Sequence, residues 1–104
     1  MSINRWEQAA EIFSVLGNAH RLAILETLAH SPARVGDLVD QLALSQPAVS
    51  QHLRVLRAAQ LVDFERHGRE IIYRLRDQHV AHIVGDALKH VAEEPHAHSA
   101  NTDD

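Results

Sequence analysis

A helical segment followed at once by two short alternating strands constrains this fold more than any other feature of the sequence. Ser45 can accept a hydrogen bond from a free backbone amide, and Pro47 lies in the first helical turn, where its missing N–H costs little. The apolar positions that follow recur at helical spacing: Val49, Leu53 and Leu56. Residues 61–66 and 70–75 then alternate like half-buried strands and are joined at Gly68. The pattern predicts a helix that leads into a β-hairpin.

Three further helical segments precede this unit, and one follows it. Asn18 and Asp77 can cap two of them, and the Ser31-Pro32 pair is expected to end another. These predicted helices cover about residues 6–16, 19–30, 35–42 and 78–93.

The order of these elements is typical of one architecture. A short helix, a tight link, a capped helix and a hairpin predict a winged helix-turn-helix, which is mainly α with a β-hairpin wing. We expect one such domain over residues 1–94 and a polar tail that contains histidine over residues 95–104.

The composition excludes several classes of protein. The chain has 104 residues, enough for one domain, and the absence of Cys excludes disulfides, thiolate metal sites and a Cys nucleophile. No apolar run approaches the roughly 18 residues that a membrane-spanning helix needs, and no signal peptide is visible. We therefore expect a soluble, cytoplasmic protein with no membrane partner.

The net charge of −4 is unevenly distributed. The net charge is −2 over residues 1–44, +3 over residues 45–76 and −5 over residues 77–104, which also hold five of the nine His. Residues 45–60 contain no acidic side chain. An acidic chain can therefore still present a basic surface to DNA.

The capped helix is predicted to be the recognition helix, because its N-terminal end would enter the major groove. Gln side chains can pair with adenine. Arg54 and Arg57 on the later turns of this helix, with Arg66 and Arg69 on the hairpin, can reach backbone phosphates. Few phosphate contacts are expected per subunit, so useful affinity for double-stranded operator DNA needs a homodimer on a two-fold-related site. The predicted DNA-binding residues are Ser45, Gln46, Ser50, Gln51, Arg54, Arg66 and Arg69.

Three stretches of the sequence resemble the ArsR/SmtB family of bacterial metal-responsive repressors. They are LSQPAVSQHLRVLR at residues 44–57, LGNAHRLAIL at residues 16–25 and the strand end IYRL at residues 72–75. The resemblance covers about residues 7–94 and implies a homodimeric winged-helix repressor rather than an enzyme. Many family sensors carry Cys on the third helix, where this chain has Val-Gly-Asp-Leu at residues 35–38. That thiolate site is impossible here.

The last predicted helix carries a histidine-rich edge. His79 and His90 share this edge but are separated by about 16 Å of helix rise, so they cannot bind one ion within one helix. Antiparallel packing of two copies would bring His79 of one chain near His90 of the other. Asp77 and Glu93 would complete two nitrogen and two oxygen donors, a set compatible with tetrahedral Zn²⁺. This ligand set also resembles the interhelical zinc site of the same family. His82 and Asp86, on the same edge, match no ligand position of the family.

The sequence thus predicts a repressor that binds its operator as an apo dimer and is released by Zn²⁺. One alternative is a Ni²⁺ or Co²⁺ sensor that recruits His96 or His98, since imidazole ligands suit those ions. A second is a family member that senses a non-metal signal. A His-rich metal enzyme or carrier is disfavoured, because the sequence lacks a His-Glu-x-x-His motif and a phosphate loop.

Overall fold

The computed structural model describes residues 2–93, with side chains from residue 4 onward. Every predicted helix and strand is present. The elements are α1 (Ser2–Leu16), α2 (Ala19–His30), α3 (Val35–Leu42), α4 (Gln46–Ala58), β1 (Val62–His67), β2 (Glu70–Leu75) and α5 (Gln78–Ala92). Helix α1 begins four residues earlier than predicted, because residues 2–5 include no Gly or Pro that would end it.

Side chains of the chain itself fix the starts of four helices. Asn18, Ser45 and Asp77 each accept a hydrogen bond from the backbone amide three residues later, at 3.0, 3.2 and 3.2 Å. Helix α3 lacks such a cap, and its start is instead held by Asp37, whose carboxylate accepts from the Arg34 amide at 3.1 Å. This reverse arrangement explains why the sequence shows no capping residue before α3.

A tight turn joins α3 to α4 and creates the helix-turn-helix. Ala43 ends α3 in the left-handed region at φ 56°, a conformation that is uncommon for a residue with a Cβ. The turn allows α3 and α4 to pack against each other through Leu38, Val49 and Leu53, all buried. The N-terminal end of α4 is thereby left at the surface.

The hairpin is joined to the helical part of the fold through the outer edge of strand β2. Strands β1 and β2 pair antiparallel from Val62 with Leu75 to His67 with Glu70, so Gly68 and Arg69 form a two-residue turn. Gly68 has φ 64°, as such turns require. On the other side of β2, Ala33 and Tyr73 exchange two backbone hydrogen bonds at 2.9 and 2.7 Å. This bridge was not visible in the sequence.

One hydrophobic core unites the elements, and α5 contributes only one stripe to it. Val80 and Val84 of α5 are buried, and Leu88 is half-buried. The other core side chains are Leu16, Ile24, Leu25, Leu28, Ala33, Leu38, Val49, Leu53, Leu56, Leu61 and Val62. Over residues 2–93, no helix combines the length and the apolar character that crossing a membrane requires.

Candidate DNA-binding surface and candidate metal ligands

The exposed start of α4 carries most of the predicted DNA-contacting side chains. Gln46, Gln51 and Arg54 are exposed, and Ser50 is half-buried. The Arg54 guanidinium donates a hydrogen bond to the Gln51 side-chain oxygen at 2.6 Å. Ser45 is used as the helix cap, which leaves its hydroxyl hydrogen available. The structure thus gathers these residues on one continuous surface.

Strand alternation divides the charges of the hairpin between its two faces. Asp63, Glu65, Arg74 and Arg76 share one face, where Arg74 contacts Glu65 at 3.1 Å and Arg76 contacts Asp63 at 3.8 Å. The hydrogen bond from Arg74, with a second from His67, lowers the pKa of Glu65. Each of these two arginines therefore has an acidic partner on its own face of the hairpin.

The predicted wing arginines lie elsewhere on the hairpin. Arg66 points to the opposite face and Arg69 lies in the turn, and both are exposed. Within residues 2–93, neither forms an ion pair or a hydrogen bond through its side chain. Their positive charges are available for an external anion such as a phosphate.

A cleft of about 600 Å³ separates α4 from the base of the hairpin. Ser50, Arg54 and Arg57 line it from α4, and Tyr73 lines it from β2. The Arg57 guanidinium lies 4.1 Å above the centroid of the Phe64 ring. Sequence reasoning did not identify Phe64 as functional, because the contact joins two elements whose distance the residue pattern does not fix.

His52 lies on the part of α4 that faces α2. Its ring makes an edge contact with the His20 ring at 5.8 Å between centroids, and its Nδ1 is buried with no hydrogen-bond partner within the described residues. Burial lowers the pKa of His52, and the charges of Arg21 and His20 lower it further. The neutral imidazole is therefore the form that suits this position.

The predicted metal ligands lie at the two ends of α5. Asp77 and His79 are exposed at its start, with His79 Nδ1 3.5 Å from Asp77 Oδ1. His90 and Glu93 are exposed at its end. In the part of the chain that the structure describes, no three His, Asp or Glu side chains come together to hold a metal ion. Each pair thus shares one end of the helix, and the four ligands do not meet within one chain. His96 and His98 lie outside the described residues.

An exposed apolar stripe runs beside the histidine-rich edge. Ile83 and Val91 are 38% and 78% exposed, and Ala87 between them is also exposed. At 100° per residue, this stripe lies between the buried stripe of α5 and the edge that carries His79 and His90. Helix α1 adds exposed Trp6 and Phe13.

Comparison with known proteins agrees with this architecture. The sequence model of the family described as "Bacterial regulatory protein, arsR family" matches residues 18–63. The HTH-type transcriptional repressor SmtB of Mycobacterium tuberculosis is 48% identical over 88 residues, which cover 85% of this chain and 65% of the relative. The chain therefore spans just under two thirds of that relative's length.

Two further relatives extend the likeness. The transcriptional repressor SmtB homolog of Synechocystis sp. is 38% identical over 93 residues, covering 89% of this chain and 70% of the relative. A homodimeric winged helix-turn-helix DNA-binding domain from Mycobacterium bovis, Mb0332, superposes with a TM-score of 0.81 at 27% identity, covering 93% of this chain and 89% of that chain.

The order of the elements and the exposed start of α4 define a winged helix-turn-helix domain, as the sequence predicted. More particularly, the chain belongs to the ArsR family of bacterial regulatory proteins.

Proposed function

We propose that this protein is a metal-sensing transcriptional repressor that binds operator DNA as an apo homodimer and is released by Zn²⁺. The observation that carries the proposal is the arrangement of α5. His79 with Asp77 lies at one end of α5 and His90 with Glu93 at the other, the two His share one edge of the helix, and an exposed apolar stripe runs beside that edge. In the proposed dimer, this helix would offer its apolar stripe to a second copy and would contribute one half of each of two metal sites.

The apolar surface supports a symmetric dimer. Ile83 and Val91 leave water if two α5 helices pack antiparallel, and apolar burial of this kind drives protein association. Exposed Trp6 and Phe13 of α1 add aromatic surface. A two-fold axis would generate two equal sites, each with Asp77 and His79 from one protomer and two ligands from its partner.

The donor set fits zinc chemistry. Two imidazoles and two carboxylates supply four nitrogen or oxygen donors, and the chain has no sulfur ligand from Cys. Asp77 uses Oδ1 to cap α5, which leaves Oδ2 for a ligand. His79 is 90% exposed, so its ring can turn toward a partner helix. Bound Zn²⁺ would supply a charge that ties the two protomers together at their α5 ends.

The α4 surface supports the DNA-binding part of the proposal. In a dimer, two recognition helices would enter successive major grooves, with Gln46, Gln51 and Arg54 near base edges. The hairpin arginines Arg66 and Arg69 would contact the backbone. A regulator of transcription acts where the DNA is, so we expect it in the cytoplasm.

The experiment is a DNA-binding titration with and without zinc. The probe is a labelled duplex selected from random sequences by the apo protein, and the affinity is measured by fluorescence anisotropy. Zinc should weaken binding by about 5- to 150-fold, the usual range for coupled sites, and DNA must weaken zinc binding by the same factor. His90→Ala should abolish this response and leave apo DNA binding intact.

The matched control is His82→Ala, which removes an exposed imidazole from the same helix edge outside the predicted ligand set. It should keep the zinc response. If His90→Ala responds like the unmodified protein, the proposed ligand set is wrong. If zinc leaves the DNA affinity of the unmodified protein unchanged, the signal is not zinc.

A further inference from the structure

The cleft between α4 and the hairpin contains an arrangement that the predicted DNA-binding residues leave unexplained. Arg57 is exposed, and within residues 2–93 its side chain forms no ion pair. Its guanidinium is instead held over Phe64, and the Phe64 ring meets the Tyr73 ring edge-on at 5.6 Å between centroids.

The stack is built on paired strands. Phe64 and Tyr73 are directly opposite each other in the hairpin, so their side chains share the face that looks toward α4. Tyr73 is in turn fixed by its two backbone hydrogen bonds to Ala33. The ring under Arg57 is therefore anchored through β2 to the helical body.

This support leaves the hydrogen-bond donors of Arg57 available. A guanidinium stacks through its flat face, while its N–H groups point outward in the plane, in the geometry that matches a phosphate. The stack also restricts a side chain that is otherwise flexible, so its binding to a ligand costs less conformational entropy. Arg54 and Ser50 line the same cleft from the previous turns of α4.

The position of the cleft identifies its ligand. If α4 lies in the major groove and the Gly68–Arg69 turn reaches the adjacent minor groove, the DNA strand that separates the two grooves must cross the space between them. That space is this cleft. A sugar–phosphate backbone is therefore the group that would meet Arg57.

We propose that the cleft between α4 and the hairpin binds a DNA backbone phosphate, with Arg57 as the contacting residue and Phe64 as its positioning residue. This inference rests on the proposed DNA-binding function and is independent of the metal site. The contact is to the backbone, so it should act on every DNA sequence alike.

The test is a double-mutant cycle in which binding to a short duplex of arbitrary sequence is measured by anisotropy over a range of salt concentrations. Arg57→Ala should reduce the slope of log affinity against log salt concentration by about 0.9 for each phosphate that the variant no longer neutralises. Phe64→Leu should weaken binding by about threefold per subunit, the scale of an exposed cation–π contact. In the Arg57→Ala background, Phe64→Leu should have no further effect.

Two further variants separate positioning from general structure. Phe64→Tyr keeps the ring and should retain the affinity of the unmodified protein. Arg76→Ala removes the same charge from the opposite face of the hairpin, where Arg76 contacts Asp63, and should change the salt dependence less than Arg57→Ala does. Melting curves establish that each variant is folded under the binding conditions.

Each remaining outcome overturns the inference in a distinct way. An unchanged salt dependence in Arg57→Ala means that no phosphate is bound there, although DNA binding itself stands. An equal reduction of affinity by Phe64→Leu in both backgrounds means that the ring does not act through Arg57. If the unmodified protein binds no duplex at low salt, the proposed DNA-binding function fails together with this inference.

Discussion

The basic segment of residues 45–76 and the histidine-rich edge of α5 differ in how much of a site one chain can assemble. In the basic segment, the helix start, the cleft and the hairpin are fixed by contacts within the same chain, such as the Ala33–Tyr73 bridge. On α5, the two halves of the predicted metal site are separated by the length of the helix. The DNA-binding surface proposed for the first region is built within one chain, although useful affinity needs two copies of it, whereas the metal site proposed on α5 is itself built only from two chains.

This difference has an electrostatic counterpart. In the hairpin, Glu65 and Asp63 pair with Arg74 and Arg76 on one face, whereas Arg66, which has no acidic partner within residues 2–93, lies on the other. On α5, the exposed carboxylates and imidazoles lie along one edge beside apolar side chains. Local pairing thus shapes the proposed DNA-binding surface, whereas the proposed metal site on α5 depends on association with a second copy.

The largest expected effect comes from preventing the association of two α5 helices. Ile83→Asp places a charge in the exposed apolar stripe, where a partner helix would bury it without compensation. We expect a monomer by sedimentation and a DNA affinity that is weaker by about 10²-fold or more, because two linked half-sites are no longer bound together.

The control for this experiment is His82→Asp, which adds the same carboxylate to the same helix outside the apolar stripe. It should remain dimeric. A dimeric Ile83→Asp protein with unchanged DNA affinity would contradict the proposed packing of α5.

The next prediction separates the structural and metal-binding roles of Asp77. Asp77→Ser keeps a side-chain oxygen that can cap α5 but removes the carboxylate, whereas Asp77→Ala removes both. We expect Asp77→Ala to lower the free energy of unfolding by about 1 kcal/mol and Asp77→Ser to change it little. Both should weaken metal binding at least about tenfold, since even residues that only support a ligand have effects of that size.

The readouts are thermal unfolding in the presence of a chelator and the optical spectrum of the Co²⁺-loaded protein. A four-coordinate site gives intense d–d bands, which should weaken in both variants. If Asp77→Ser binds Co²⁺ with the same affinity and spectrum as the unmodified protein, Asp77 is a helix cap and not a ligand.

Most of the fold could be predicted because its determinants are local. The capping side chains Asn18, Ser45 and Asp77 and the strand alternation around Gly68 act over a few residues, and the structure confirms each of them. The start of α3 was less clear, because Asp37 caps it from inside the helix.

The contacts that escaped prediction join residues on different elements of the fold. The Ala33–Tyr73 bridge and the stacking of Arg57 on Phe64 depend on how whole elements pack. No periodicity of the sequence encodes those distances. The case of the predicted ligands on α5 is the opposite. Their spacing along the helix can be taken from the sequence, but the proposed site would form only when a second chain brings the two ends of α5 together.

The smallest expected effect concerns the junction of α4 with α2, where His52 is held neutral. Burial and the charges of Arg21 and His20 lower the pKa of His52 below its ordinary value of 6.5. As the pH falls through 6.5, the unfolded chain therefore takes up a proton at this position before the folded chain does. His52 therefore has no effect on the free energy of unfolding above that pH. Below it, this group lowers the free energy of unfolding progressively, until the pH reaches the lowered pKa of the folded state.

His52→Gln removes this titration. The melting temperature of the variant should therefore fall less than that of the unmodified protein between pH 7 and pH 5, a range of about two units that begins above the ordinary His pKa. The control, His82→Gln, removes an exposed imidazole from α5 and should keep the steeper fall. Parallel pH profiles for His52→Gln and the unmodified protein would show that the acid sensitivity arises elsewhere. A flatter profile would place the acid sensitivity in the middle of α4, where His52 packs against His20 of α2.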